Sequence, residues 1–239
     1  MNDLVQLKKS IVRELDYSYE ACSISENQII EILGYNTDNV PEPVLDAVSL
    51  IIKNLPGKTR YKSGYKIFKP GKVRFDDHRF IIDNKNFNCG KIIYSQLKNS
   101  DTIAFIIASV GEELDKWSKS FMDNNEILKA YLIDKVASEL VEKLADKTQL
   151  VLENELDEIE LKITNRYSPG YCGWSVADQQ NLFSLLPLNF CNVSVNENSM
   201  MFPIKSISAV IGVGKSAEKI DYNCSVCDLE FCYKRDRNA

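Results

Sequence analysis

The chain has 239 residues, with 29 Lys and Arg against 34 Asp and Glu, a formal net charge of −5 and a single histidine. At 44% hydrophobic and 26% charged it has ordinary globular composition, and a chain this long buries roughly 70% of its unfolded surface, in one large domain with or without appendages. The acidic balance argues against a general nucleic-acid binder, and the longest apolar run, Ala104 to Val110 broken at Ser109, is far short of the roughly 20 residues of a membrane span.

The N-terminus, Met1-Asn2-Asp3-Leu4-Val5-Gln6-Leu7-Lys8-Lys9, carries an acid where a secretory leader needs base and has no continuous apolar core, so a cytoplasmic location is expected. Apolar residues recur at three and four positions through Leu4 to Leu15, Ile29 to Leu33 and Val44 to Leu55, which predicts a helical first 55 residues. Gly34 suits the C-cap of the second helix, Pro41 and Pro43 open the third, and Pro56-Gly57 closes it. From Lys58 to Asp83 the period falls toward two and Pro70-Gly71 interrupts it, the pattern of one β-hairpin or two.

A strand is predicted at Thr102 to Ala108, followed by a long helix whose face is marked by Leu128, Leu132, Val136, Leu140 and Leu144. Leu161 to Thr164 reads as a short strand, Asp178 to Leu186 as a helix, and Phe190 to Val195 and Ser206 to Val213 as strands. Helices and strands mix without a βαβ rhythm, so the fold class is α+β. The expected divisions are an N-terminal helical and hairpin extension over 1–85, a central domain over 86–216, and a cysteine-rich tail over 217–239.

Two charged stretches admit a functional and a plainer reading. Lys58 to Arg74 holds seven basic residues among aromatics, which is either a docking or nucleic-acid patch or, as we prefer, the solvated face of a hairpin. The acidic run from Glu153 to Glu158 reads as a solvated helix end, although acids there oppose the helix dipole.

Several motifs fail on inspection. Ala209 to Ser216 matches a relaxed phosphate-loop pattern, but too few residues follow it for the strands that flank such a loop. Asp76 to Ile81 begins like an Asp-x-His-x-x-Gly cobalt-ligand motif, yet Ile81 stands where glycine is required. His78 is the only histidine, and no nucleophile can be placed beside it, so a surface position without catalytic duty is expected.

The segment Arg166-Tyr167-Ser168-Pro169-Gly170-Tyr171-Cys172-Gly173-Trp174 is unlike its surroundings. Proline fixes one φ, two glycines free others, and Arg166 with three aromatics falls within nine residues between a predicted strand and a predicted helix. Such a loop presents backbone groups to a small ligand, with Arg166 placed to clasp a carboxylate.

The core Arg166-x-x-Pro169-Gly170-Tyr171 resembles the S-adenosylmethionine-binding motif of the activation (reactivation) domain of cobalamin-dependent methionine synthase. The likeness extends upstream over Asp134-Lys135-Val136-Ala137 to Glu142-Lys143-Leu144-Ala145, and downstream over Phe202-Pro203-Ile204-Lys205-Ser206-Ile207-Ser208-Ala209. It spans roughly residues 86 to 216 and implies a twisted, mostly antiparallel sheet packed by a long helix.

The resemblance also implies a role. Oxidised, inactive cobalt is rescued by coupling a one-electron reduction to methyl transfer from S-adenosylmethionine, and the protein supplies position, not acid or base. Carried onto this chain, Arg166 pairs with the methionine carboxylate, Ser168, Pro169 and Gly170 line the ligand, and Tyr171 sits beside the sulfonium as the catalytic contact. Glu142, Ser206 and Ser208 complete the implied binding set. The family's helix glutamate falls at Ser138 here, with Glu142 one turn further on. The sequence shows no homocysteine, folate or cobalamin module, so the implied partner is a corrinoid-bearing methionine synthase or related corrinoid protein engaged in trans. Two other classes stay open, a cysteine-cluster redox module and a non-catalytic docking domain.

The cysteines form a second constellation. Cys224-x-x-Cys227-x-x-x-x-Cys232 places three thiols within nine residues, and Cys172 is the candidate fourth ligand, with Cys191 in reserve. An iron-sulfur cluster, a structural zinc ion and free thiols are the three readings. Cys22 and Cys89 are expected in the core.

Overall fold

The computed structural model describes residues 10–220. Its centre is a five-stranded, wholly antiparallel sheet of order β1-β2-β6-β10-β7, formed by β1 (Ile11–Tyr17), β2 (Tyr61–Ile67), β6 (Thr102–Ser109), β7 (Lys162–Ile163) and β10 (Ser206–Gly214). A meander of β3 (Val73–Asp76), β4 (Arg79–Ile82) and β5 (Lys85–Phe87) and a short hairpin of β8 (Ser194–Val195) and β9 (Met201–Phe202) make two smaller sheets. The helices are α1 (Glu26–Ile32), α2 (Glu42–Asn54), α3 (Gly90–Leu97), α4 (Glu113–Asp123), α5 (Ile127–Asp157) and α6 (Asp178–Ser184).

β6 explains the layering. All eight of its residues are buried, as expected of a central strand covered on both faces. Alternate side chains point opposite ways. Ala104 and Ile106 join Tyr65, Ile211, Leu152 and Leu156 beneath α5, while Ile103, Phe105 and Ile107 join Phe80, Phe87, Trp174 and Phe190 on the far side. The long helix is legible because Leu132, Val136, Leu140, Leu144 and Leu152 recur at the helical period and are all buried.

Local chemistry sets several boundaries. Ser25 and Gln28 form a reciprocal capping box at the start of α1. At its end the amide of Gly34 donates to Glu31 and that of Tyr35 to Ile30, with Gly34 at φ +80°, a Schellman ending. The phosphate-loop lookalike is the body and end of β10, with its residues as far as Gly214 in extended strand pairing.

Of the first predicted helix, Leu4 to Lys9 lie outside the described residues, and from Ile11 the chain is instead β1, whose Arg13 pairs with Tyr65 and Leu15 with Ser63. Pairing to the open edge of β2 overrides a weak helical period, and β-branched Ile11 and Val12 favour that outcome. The expected split at residue 85 does not divide the sheet, since β1 and β2 supply two of its five strands. β2 and β3 also do not form a hairpin, because the Pro70-Gly71 break sends them into different sheets. The predicted strand from Phe190 is a short 3-10 turn with Asn189, Cys191 and Asn192 at positive φ, and only Ser194–Val195 is strand. A side chain at Gly64 would place its Cβ 2.4 Å from the Arg13 carbonyl and 2.8 Å from Phe190, so glycine lets this turn seat on β2. α3 and α4 are helices that the apolar period alone did not mark.

The charged stretches acquire partners. Lys62 pairs with Asp16, Lys72 with Asp83, and Lys58 lies over the Trp117 ring, so the basic stretch is distributed across the fold. The acidic helix end is not merely solvated, since Glu155 accepts the Tyr65 hydroxyl and pairs with Arg13, and Glu153 pairs with Lys219.

Candidate functional site

The segment after β7 runs beside β10, and Tyr167 exchanges both backbone hydrogen bonds with Val210 at 2.9 and 2.8 Å. The chain then turns sharply. The amide of Tyr171 donates to the Ser168 carbonyl at 3.2 Å across Pro169 and Gly170, with Gly170 at φ +98°, which is the residue placement of a type II turn. Gly170 also donates to the Trp174 carbonyl, and Cys172 and Gly173 follow at φ +51° and +77°.

Trp174 anchors this loop. Its ring is buried against Phe80 and Phe87, and its indole N–H donates to Asp178 of α6 at 2.7 Å. The same carboxylate oxygen accepts the Asn88 amide at 2.8 Å, so Asp178 ties loop, α6 and the end of β5 together. With the tryptophan held inside, Tyr171 is left 58% exposed at the tip.

Opposite the motif lies one stripe of α5. Asp134, Ser138, Glu142 and Asp146 succeed one another at intervals of four, so they share a helix face. Arg166 reaches this stripe from the motif, with Nη1 2.7 Å from Asp146 Oδ1 and Nη2 3.3 Å from Glu142 Oε2. Its side chain is only 17% exposed. Lys205 reaches the same stripe from the β9–β10 connection, 2.8 Å from Asp134 and 3.1 Å from the Ser138 hydroxyl. Asp115 of α4 accepts the Ile204 amide at 2.9 Å, and burial pushes its carboxyl above the usual carboxylate range.

Ser206 and Ser208 occupy the strand that underlies the motif. Ser206 donates to the Pro203 carbonyl at 2.8 Å and lies 3.0 Å from the Ser109 hydroxyl. Ser208 is buried and donates to Gln179 at 2.6 Å, while Gln179 in turn donates to the Ser199 carbonyl. These serines therefore brace β10 against β6 and α6. The exposed apolar side chains Tyr171, Val176, Met200, Phe202 and Ile204 sit on the two segments that flank this brace.

The predicted ligand-binding residues thus divide. Arg166 and Glu142 come together between α5 and the motif, the turn Ser168-Pro169-Gly170-Tyr171 follows Arg166 in the same loop, and Ser206 and Ser208 serve the frame. Sequence reasoning named neither Asp146 nor the Lys205–Asp134 pair as site residues. The four-residue spacing of polar groups along α5 was the signal that could have found the acids. His78 lies in the β3–β4 turn at φ +62° and packs edge-on to Tyr94, and its carbonyl accepts the Gly90 amide. Shallow clefts of about 290 Å³ beside Lys72 and Arg74, and about 510 Å³ between Pro43 and Leu128, lie elsewhere.

Three of the four predicted metal ligands, Cys224, Cys227 and Cys232, lie outside the described residues. Cys172 is half-buried in the cluster that also contains Cys89 and Cys191. Burial pushes the Cys89 thiol up to about 12 and raises that of Cys191, which keeps both protonated at neutral pH. Among the described residues no three His, Cys, Asp or Glu side chains are grouped to hold a metal ion, and no helix is long and apolar enough to cross a membrane.

No curated protein matches the chain. Its fold is similar to that in the crystal structure of the MetH reactivation domain bound to AdoHcy, with a TM-score of 0.61 over 88% of this chain and 80% of that one, at 13% identity. The model of the vitamin B12 dependent methionine synthase activation domain matches residues 83–230, from β5 through β10 and including α5, the Arg166 motif and the Lys205 connection. The chain belongs to the family of vitamin B12-dependent methionine synthase activation domains.

Proposed function

We propose that the chain binds S-adenosylmethionine between α5 and the Arg166–Tyr171 turn and presents the ligand's methyl group to the cobalamin of a corrinoid partner acting in trans. One observation carries this reading: the motif arginine is held, largely shielded, against the acidic stripe of α5, beside a glycine turn with an exposed tyrosine at its tip. The AdoHcy in the similar reactivation domain supports it, since AdoHcy is what S-adenosylmethionine becomes once its methyl has left.

The residues fit the ligand's chemistry. Arg166 offers a planar fork to the methionine carboxylate, Glu142 supplies a carboxylate for the amino group, and the turn exposes backbone at Ser168 and Gly170. Tyr171 offers an aromatic face to the sulfonium, an electrostatically favourable neighbour for a cation. The exposed Val176, Met200, Phe202 and Ile204 offer apolar side chains of the kind a corrin face would meet. The partner's cobalamin, when bound, supplies the reduced cobalt that accepts the methyl group. This chain's contribution is to hold the donor in line, catalysis by proximity.

Calorimetric titration with S-adenosylmethionine, run beside Arg166→Ala, tests the reading. Saturable binding that the variant weakens supports it. Absence of binding to the wild type, or equal binding to both proteins, overturns it.

A further inference from the structure

Among the described residues Arg166 meets the carboxylates of Glu142 and Asp146, and they are not equivalent. Asp146 makes the shorter contact, 2.7 Å to Nη1, and its side chain is 71% exposed. Glu142 stands 3.3 Å from Nη2 and is 41% exposed. Between them they engage both terminal nitrogens, so an incoming carboxylate meets a competitor at whichever N–H edge it uses. A ligand carboxylate seeking that edge must displace one of them. Asp146 is the one that water receives back at least cost, because most of its side chain already faces solvent.

We propose that Asp146 is an internal competitor for the ligand carboxylate, a specificity-setting residue that caps Arg166 until a carboxylate-bearing ligand displaces it. The inference rests on the ligand site proposed above. In the uncapped state Arg166 remains oriented by Glu142, so the capping and orienting carboxylates are separate residues one helical turn apart. The cap opposes only ligands that use the arginine fork, and a nucleoside lacking the carboxylate does not meet it.

Asp146→Asn separates this from other roles, and its exposed position leaves folding intact. The probes are S-adenosylmethionine and its decarboxylated analogue, each titrated calorimetrically at low ionic strength. Asp146→Asn is expected to bind S-adenosylmethionine about two- to fivefold more tightly, the range set by an exposed ion pair. It is expected to bind the decarboxylated dication no more tightly than wild type does, since removing a nearby negative charge cannot favour a cation. In an Arg166→Ala background the gain should vanish. Unchanged or weaker S-adenosylmethionine binding in Asp146→Asn, with Arg166→Ala still weakened, overturns the cap and leaves the ligand site standing. Tighter binding of both probes also overturns it. Loss of the Arg166 dependence itself overturns the site and the cap together.

Discussion

Along α5 the carboxylates of the two halves meet different surroundings. Near its C-terminal end, Glu155 accepts the hydroxyl of the fully buried Tyr65 and pairs with Arg13, which joins β2 and β1 to the helix above buried Leu152 and Leu156. Nearer the middle, Glu142 and Asp146 share one arginine delivered by the motif, and both carboxylates remain substantially exposed. The first arrangement satisfies a group that has no other place to go. The second leaves charge that can change partner. One helix therefore carries a joint tied to a buried hydroxyl and an exchangeable ion pair, and it is the burial of Tyr65, rather than of the carboxylates, that distinguishes them.

The sharpest way to break this comparison is to damage each end and read both stability and binding. Leu152→Ala should cost about 2–5 kcal/mol in chemical denaturation, because the residue is fully buried between α5 and the sheet. Arg166→Ala should instead cost about 2–3 kcal/mol in S-adenosylmethionine affinity, with much less change in unfolding midpoint. A variant that unfolds the protein without any binding phenotype would show that Arg166 belongs to the same kind of joint as Glu155.

A smaller effect tests the joint at Glu155. Glu155→Ala leaves the Tyr65 hydroxyl without its acceptor and should cost about 1–2 kcal/mol in denaturant unfolding. Adding Tyr65→Phe should recover part of the loss, since the hydroxyl goes with its acceptor. Strictly additive losses in that double-mutant cycle would show no coupling.

The smallest effect is a pH dependence. Burial raises the Asp115 carboxyl above its ordinary value, so the folded chain holds that proton more tightly than the unfolded chain does. The associated stability is present below the unfolded pKa and is lost as pH rises through the folded one. Wild type should therefore lose stability relative to Asp115→Asn as pH rises from the ordinary carboxylate range toward neutrality. Parallel pH profiles would show that the amide of Ile204 offsets the burial completely.

Much of the frame was legible because its signals are local. The helical period of α5, the unbroken apolar run of β6 and the Pro169-Gly170 turn each depend on neighbours a few residues apart. β1 was misread because an edge strand half open to solvent keeps no strict alternation, and its state is set by the strand it meets. The turn at Asn189 to Asn192 was hidden for a related reason: its positive φ values are borne by asparagine and cysteine, not by glycine.

The site shows the same division. From the sequence by itself came the chemistry, namely an arginine, a glycine turn and a tyrosine in fixed order, and with them the family likeness. Which carboxylates Arg166 would meet was decided only in three dimensions. Glu142 lies 24 residues upstream on a helix crossing the sheet, and its meeting with Arg166 depends on how α5 settles over β10 and where Tyr167 pairs with Val210. The same placement turned Ser206 and Ser208 inward as braces and set Asp146 over the arginine. Local patterns name the groups that can react, but packing between distant elements sets which of them touch, because that register is fixed by the buried surface of the whole fold.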